Sequence, residues 1–267
     1  MGGPAVPPPR DGHRRLQPTP PSLRRSRFVN PFRDEAIVLG SAKSSEANRV
    51  VFLLTRDHGR LAAAANGVRK TKSRIGARLE PMCHVDVMIK PGRSLPTLDE
   101  VKLVTVQHKL HSDLQRLTQG IAMLEVVNKM TPEHEPVPHI FEMLRRALAT
   151  LEEQRSPLML AGFYWKLLAL EGSAPQLDAC VSCGGVDDLV GFDILEGGVQ
   201  CANCRMGAAL APGTIDIVRM ILGGQLREAL ALEESTAVHQ ASELAMNAME
   251  AHLERRIRSL GVFDRHL

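Results

Sequence analysis

Between residues 35 and 106 the hydrophobic positions come in short runs divided by turn residues, and in Val85-Asp86-Val87-Met88-Ile89-Lys90 they fall on every second position. A repeat of two sets Val85, Val87 and Ile89 on one face of a pleated strand and Asp86, Met88 and Lys90 on the other. Short apolar runs at 35–39, 49–54, 60–65 and 101–106 predict four more strands. Five short strands in so little chain predict a small barrel. The five-stranded oligonucleotide-binding (OB) arrangement is the leading choice, and an SH3-like barrel shares its periodicity.

After residue 107 the apolar spacing lengthens to three and four. It predicts helices over 121–130, 140–153 and 157–170, the last with Ser156 as N-cap and Pro157 at its first position. The helical pattern stops near residue 180 and resumes near Pro212. It ends in a stripe of Met246, Met249, Leu253, Ile257 and Leu260, read as a core face, with Arg255, Arg256 and Arg258 mostly off it. The fold class is therefore α+β: an N-terminal five-stranded OB-fold barrel over 32–107, then an all-helical domain over 108–267 with a module embedded at 180–204. Residues 1–31, with Pro7-Pro8-Pro9 and Arg24-Arg25-Ser26-Arg27, lack the apolar content to order themselves. They are expected to be a disordered extension, read first as a solvated tail or an upstream start codon and second as a basic arm on nucleic acid.

What interrupts the helices is a pair of steps, Cys180-Val181-Ser182-Cys183 and Cys201-Ala202-Asn203-Cys204. Each puts two thiolates on one tight turn, and the stretch between them is long enough for a hairpin that brings the turns together. Gly184 and Gly185 follow the first step, and Gly197-Gly198 lies where the hairpin would reverse. A redox dithiol or a disulfide pair is the competing reading, but no thioredoxin-like strand–helix–strand pattern surrounds either step. The four cysteines predict one structural Zn2+, closed to water and so not catalytic. The fifth, Cys83, has no partner at ligand spacing and reads as a small buried hydrophobe.

Charge changes the picture only locally. The formal net charge is +3, from 33 Lys and Arg against 30 Asp and Glu, so a polyanion argument must rest on clustering. The densest cluster is Arg69-Lys70-Thr71-Lys72-Ser73-Arg74, extended by Arg78, with no acid before Glu80 and with Gly67 and Gly76 on either side of the core run. Such a loop can lay cations along a phosphate backbone and release condensed counterions. Arg69, Lys70, Lys72, Arg74 and Arg78 are the candidate DNA contacts, and Arg49, Arg56 and Arg60 on neighbouring strands or turns are their candidate continuation. The barrel segment offers only Phe32 and Phe52 for stacking bases, so a DNA contact there would grip backbone and leave base edges open, as annealing of complementary strands requires. No phosphate-binding glycine loop, Gly-x-Ser-x-Gly elbow or His-Glu-x-x-His helix occurs, and His134, Glu135, His139, Asp187 and Asp188 read as exposed turn residues, so an enzyme ranks low. No apolar run is long enough to cross a bilayer, and the arginine-bearing N-terminus lacks the apolar core of a secretory signal, which predicts a cytoplasmic protein with reduced thiols.

Several segments occur in an order and spacing that resemble a known family: Arg33-Asp34-Glu35-Ala36-Ile37-Val38-Leu39, Glu46-Ala47-Asn48-Arg49, Leu54-Thr55-Arg56-Asp57-His58-Gly59, Gly67-Val68-Arg69-Lys70, Gly76-Ala77-Arg78-Leu79-Glu80-Pro81 and Pro91-Gly92-Arg93. From about Phe32 the chain resembles the bacterial RecO recombination mediators, and the paired Cys-x-x-Cys resembles their zinc-bearing members. The resemblance implies an OB domain before a helical domain with a zinc module. It also implies binding of single- and double-stranded DNA, strand annealing, and action with RecR to help RecA displace single-strand DNA-binding protein (SSB). An SSB acidic, hydrophobic C-terminal tail would call for a pocket with apolar walls and a basic rim on the helical domain. Residues 1–31 have no counterpart in the resemblance, and the location it implies is cytoplasmic, nucleoid-associated during repair. The rival reading is a zinc-ribbon protein–protein adaptor that does not touch DNA; a zinc hydrolase would need an open ligand position.

Overall fold

The computed structural model describes residues 30–44, 48–66, 76–105 and 107–253. Five strands, β1 (Phe32–Lys43), β2 (Arg49–Thr55), β3 (Gly59–Ala65), β4 (His84–Lys90) and β5 (Thr97–Thr105), close into a barrel in the order β1-β2-β3-β5-β4. β3 and β5 meet in parallel at Ala64 and Thr97, and every other pair is antiparallel. This closure is the OB arrangement and settles the choice against an SH3-like barrel. β1 makes it possible: residues 32–37 pair with β4 and residues 36–43 with β2, with an irregularity between Val38 and Gly40 where the strand bends.

β1 is buried on both faces, which explains why its middle is continuously apolar. Ala36 and Val38 point into the barrel, whereas Ile37 and Leu39 belong to the core of the helical half, as does Leu54 of β2 beside the barrel-facing Leu53. The barrel and the helices thus share one packed boundary. Met82, with φ 69°, is wholly buried there, and any side chain at Gly120 would place its Cβ 2.2 Å from the Met82 sulfur. The same closeness recurs at Gly59, where φ is 71° and a Cβ would lie 2.0 Å from the Glu135 carbonyl oxygen. Beside it the His134 amide donates to the Arg60 carbonyl at 2.9 Å.

The helices are α1 (His108–Ser112), α2 (Leu114–Met130), α3 (Pro138–Glu153), α4 (Met159–Leu170), α5 (Thr214–Leu222), α6 (Leu226–Leu230) and α7 (Thr236–Leu253), with the hairpin β6 (Leu189–Asp193) and β7 (Gly198–Cys201) between α4 and α5. α2 starts seven residues before the predicted 121, because Asp113 caps it by accepting from the Arg116 amide at 3.1 Å. Ser156 does not cap α4: its hydroxyl accepts from the Leu158 amide at 3.2 Å in the preceding turn, and the helix begins at Met159. α4 carries Tyr164 and Trp165 into the centre of the helical core. Of the terminal stripe, Met249 is fully buried and Met246 and Leu253 pack on the core, while Ile257, Leu260 and the arginines at 255, 256 and 258 lie outside the described residues. No helix among the described residues is long and apolar enough to cross a membrane.

Candidate functional site

The two Cys-x-x-Cys steps meet as their spacing predicts. The sulfurs of Cys180, Cys183, Cys201 and Cys204 all lie within 4.8 Å of one another, and Cys183 and Cys201 are 3.8 Å apart. A tetrahedral site with metal–sulfur bonds of about 2.3 Å has edges of about 3.8 Å, so the four thiols fit one four-coordinate ion. Backbone geometry builds each knuckle. The Gly184 amide donates to the Cys180 carbonyl at 2.8 Å, with Gly184 at φ 74°, and the amides of Cys204 and Arg205 both donate to the Cys201 carbonyl. At the far end of the hairpin Asp193 Oδ1 accepts from the amides of Leu195 and Glu196. Backbone donors near Cys201 and side-chain contact with Cys183 hold the Cys180 thiol down to about 6, whereas its sulfur neighbours, Cys183 first, push Cys204 up to about 12. Four sulfurs this close cannot all ionise against one another, and a cation among them removes the conflict.

The hairpin is part of the helical core. Val199 and Leu177 are buried in that core, Phe192 lies 6.0 Å from Trp165 between ring centroids, and Arg219 of α5 donates to the Leu177 carbonyl at 2.6 Å. Cys83 stands apart in the barrel, partly buried against its core, and burial together with the nearby Glu80 raises its pKa.

The candidate DNA contacts divide. Arg69, Lys70, Lys72 and Arg74 fall in 67–75, outside the described residues. Arg78 lies in a short 3-10 turn (Gly76–Leu79), where its guanidinium donates to the Val101 carbonyl at 2.8 Å and ties the turn to β5. Arg49 pairs with Glu80 at 3.1 Å. Arg56 pairs with Glu35 at 3.3 Å and sits 5.3 Å above the Phe141 ring of α3. Arg60 reaches across the boundary, donating from Nε to the Thr131 carbonyl at 2.9 Å and pairing with Glu133 at 3.3 Å, its side chain only 18% exposed. These three arginines are bound to acids, and two of them join the barrel to the helices.

The β2–β3 turn is fixed by the motif at the start of β1. Buried Asp34 accepts from the Asp57 amide at 3.0 Å and lies 2.7 Å from His58 Nδ1, while Phe32 stacks on the His58 ring at 3.9 Å. Phe52 packs on the helical core. Both barrel phenylalanines are therefore engaged by the protein itself.

A cavity of about 450 Å3 opens between α3, α4 and α6. Met143, Ala147, Met159, Phe163, Leu226 and Leu230 form its apolar wall, and Gly162 lets Leu226 approach, since a Cβ there would stand 2.7 Å from the leucine methyl. His139, Arg146 and Lys166 bring nitrogen-bearing side chains to it, and Glu142 is the acid among its lining residues. Of these residues only His139 was singled out from sequence, as an exposed turn residue, and it lies instead in the first turn of α3; the rest were missed because three separate helices assemble the walls. One signal existed: Lys166 is the only charged residue in the otherwise apolar α4.

Two family models match the chain, recombination protein O N terminal over residues 29–107 and recombination protein O C terminal over residues 111–261. The first covers the barrel and the second the helices with the four-cysteine hairpin. The chain belongs to the recombination protein O family, the mediators of recombinational DNA repair.

Proposed function

We propose that this protein binds single- and double-stranded DNA, anneals complementary strands, and acts with RecR to help RecA replace SSB, as a binding protein without turnover. The observation that carries the DNA reading is the acid-free cationic run Arg69, Lys70, Lys72 and Arg74, which follows β3 in the chain, together with a five-stranded barrel whose phenylalanines are occupied. Cations grip phosphates while unstacked bases stay free to pair. Arg49, Arg56 and Arg60 are paired with acids, which leaves them less charge to offer a phosphate, and Arg78 spends a donor on the Val101 carbonyl, so the run carries most of the affinity. One Zn2+ held by Cys180, Cys183, Cys201 and Cys204 supplies cross-linking of the hairpin and no chemistry. The cavity between α3, α4 and α6 suits the acidic, hydrophobic C-terminal tail of SSB: an apolar chain end fits its wall, and Arg146 and Lys166 face carboxylates. A cytoplasmic, nucleoid-associated location follows from this role.

The test is annealing of complementary oligonucleotides coated with cognate SSB, comparing the native chain with one carrying Arg69→Gln, Lys70→Gln, Lys72→Gln and Arg74→Gln. The expected result is annealing that falls steeply with salt and is lost in the variant. Native protein that neither anneals nor binds DNA would return the chain to the protein-adaptor reading. Unchanged annealing in the variant would move the DNA contact away from the 67–75 run.

A further inference from the structure

The basic rim of the α3–α4–α6 cavity already holds a carboxylate. Glu142 Oε1 accepts from Arg146 Nε at 2.7 Å and from Arg145 Nη2 at 2.7 Å, and its Oε2 accepts from Arg145 Nε at 2.8 Å. Glu142 and Arg146 line the cavity, and Arg145 does not. The arrangement follows from α3 itself, where positions three and four residues after Glu142 lie on its own side of the helix. The two arginines differ in grip. Arg145 holds both carboxylate oxygens in a fork, whereas Arg146 holds one and its side chain is 74% exposed.

We infer that Glu142 is an intramolecular stand-in for a ligand carboxylate, occupying Arg146 until an acidic chain end displaces it and thereby setting the affinity of the cavity for acidic peptides. This rests on the reading that the cavity takes an acidic, apolar C-terminal tail. The exchange is a fair one for the protein. An incoming carboxylate takes Arg146 by replacing a single hydrogen bond, and Glu142 is not stranded, because the Arg145 fork remains. The Arg145 and Arg146 guanidiniums hold the Glu142 carboxyl down at about 2, so it stays ionised at any physiological pH and leaves Arg146 only by displacement. Lys166, on α4, has no ion-pair partner among the described residues. It supplies the standing attraction that brings acids to the rim. A neutral apolar chain end gains the wall contacts but has nothing to offer Arg146, so the pair also discriminates between acidic and neutral tails.

Full-length protein titrated with a fluorescent peptide of consecutive aspartates ending in phenylalanine with a free carboxylate tests this by anisotropy. Glu142→Gln is expected to tighten binding about two- to fivefold, the scale of one exposed charge pair, and the gain is expected to vanish when Arg146→Ala is added. Glu153→Gln, which changes net charge equally on the same helix, is the control. Equal tightening by Glu153→Gln would assign the effect to the general field and overturn the inference. Native binding that Glu142→Gln leaves unchanged or weakens would overturn it too, while leaving the tail-binding reading in place. Peptide binding by neither native protein nor Glu142→Gln would overturn both.

Discussion

The barrel and the cysteine hairpin are both attached to the same helical core, but by different physics. The barrel boundary is made of packed apolar side chains from both halves, Ile37, Leu39, Leu54 and Met82 among them, and of close backbone approach at Gly59 and Gly120. It is complete without any added group. The hairpin has two short strands and a few anchors, Val199, Leu177 and Phe192. A two-stranded ribbon is marginal in water, so it depends on what joins its four sulfurs. Packing secures the first joint and, on the proposal of a bound Zn2+, coordination the second, and each should then fail to its own perturbation and not to the other's.

The largest effect is predicted for the four cysteines proposed to hold Zn2+. Cys201→Ala, or a strong chelator on the native chain, is expected to cost about 4 kcal/mol or more, because structural zinc carries folding free energy of order 10 kcal/mol. Trp165, the single tryptophan, lies against Phe192 of the hairpin, so its emission should shift red as the midpoint falls, and zinc should restore both. Chelation without change in either would separate the hairpin from the core and break the comparison.

Next comes the packed joint. Gly59→Ala forces a side chain into a positive φ and against the Glu135 backbone, with an expected loss of roughly 2–4 kcal/mol. Zinc content measured by a colorimetric chelator should stay at one per chain, since the damage is on the barrel side. Loss of zinc together with stability would show the joints to be coupled.

A smaller effect is set by pH. His84 is buried at the boundary beside Phe141, with Glu35 3.4 Å from its Nε2 and Arg56 and Arg145 close enough to be felt. Burial lowers its pKa, more than Glu35 raises it. The unfolded chain therefore binds the proton more readily, and stability is lost as pH falls from about 6.5, the ordinary histidine value, toward the lowered one. Thermal midpoints between pH 7.5 and 5.5 should drop, and His84→Gln should flatten that part of the profile; an identical slope in the variant would remove His84 from the account.

The smallest effect is predicted for the outer barrel face. Lys90 and Asp99 form a well-exposed pair at 2.9 Å, and Lys90→Ala should change stability by less than about 1 kcal/mol. A larger loss in a denaturant titration would mean that surface charge, and not packing, stabilises the barrel.

The sequence was legible where periodicity and burial agree. Val85 to Lys90 alternates as a strand with one buried face and lies in β4, and the cysteine spacing predicted the four-sulfur cluster because ligand chemistry constrains its own geometry. β5 begins at Thr97 although its apolar run starts at Val101, since Asp99 and Glu100 sit on its solvent face and hide the early pairing. α2 starts earlier than its apolar spacing predicts for a similar reason: Gln115, Arg116, Thr118 and Gln119 mask its first turns, yet Arg116 and Gln119 are buried and donate to the carbonyls of Glu152 and Ser156. The cavity was illegible because neighbours in space there are distant in sequence, as were the partners of Arg56 and Arg60.

The double burial of β1 bears on how the protein can be taken apart. The family models change over between residues 107 and 111, which invites cutting the gene there and producing each half alone. That cut runs through the chain and not through a surface. A fragment ending after β5 would present Ile37, Leu39, Leu54 and Met82 to water as one greasy flank, and the helical fragment would bare the matching imprint. Each piece is expected to cling to itself or to others in the tube, and DNA affinities or partner assays obtained with such halves would report on stickiness that the intact molecule never shows.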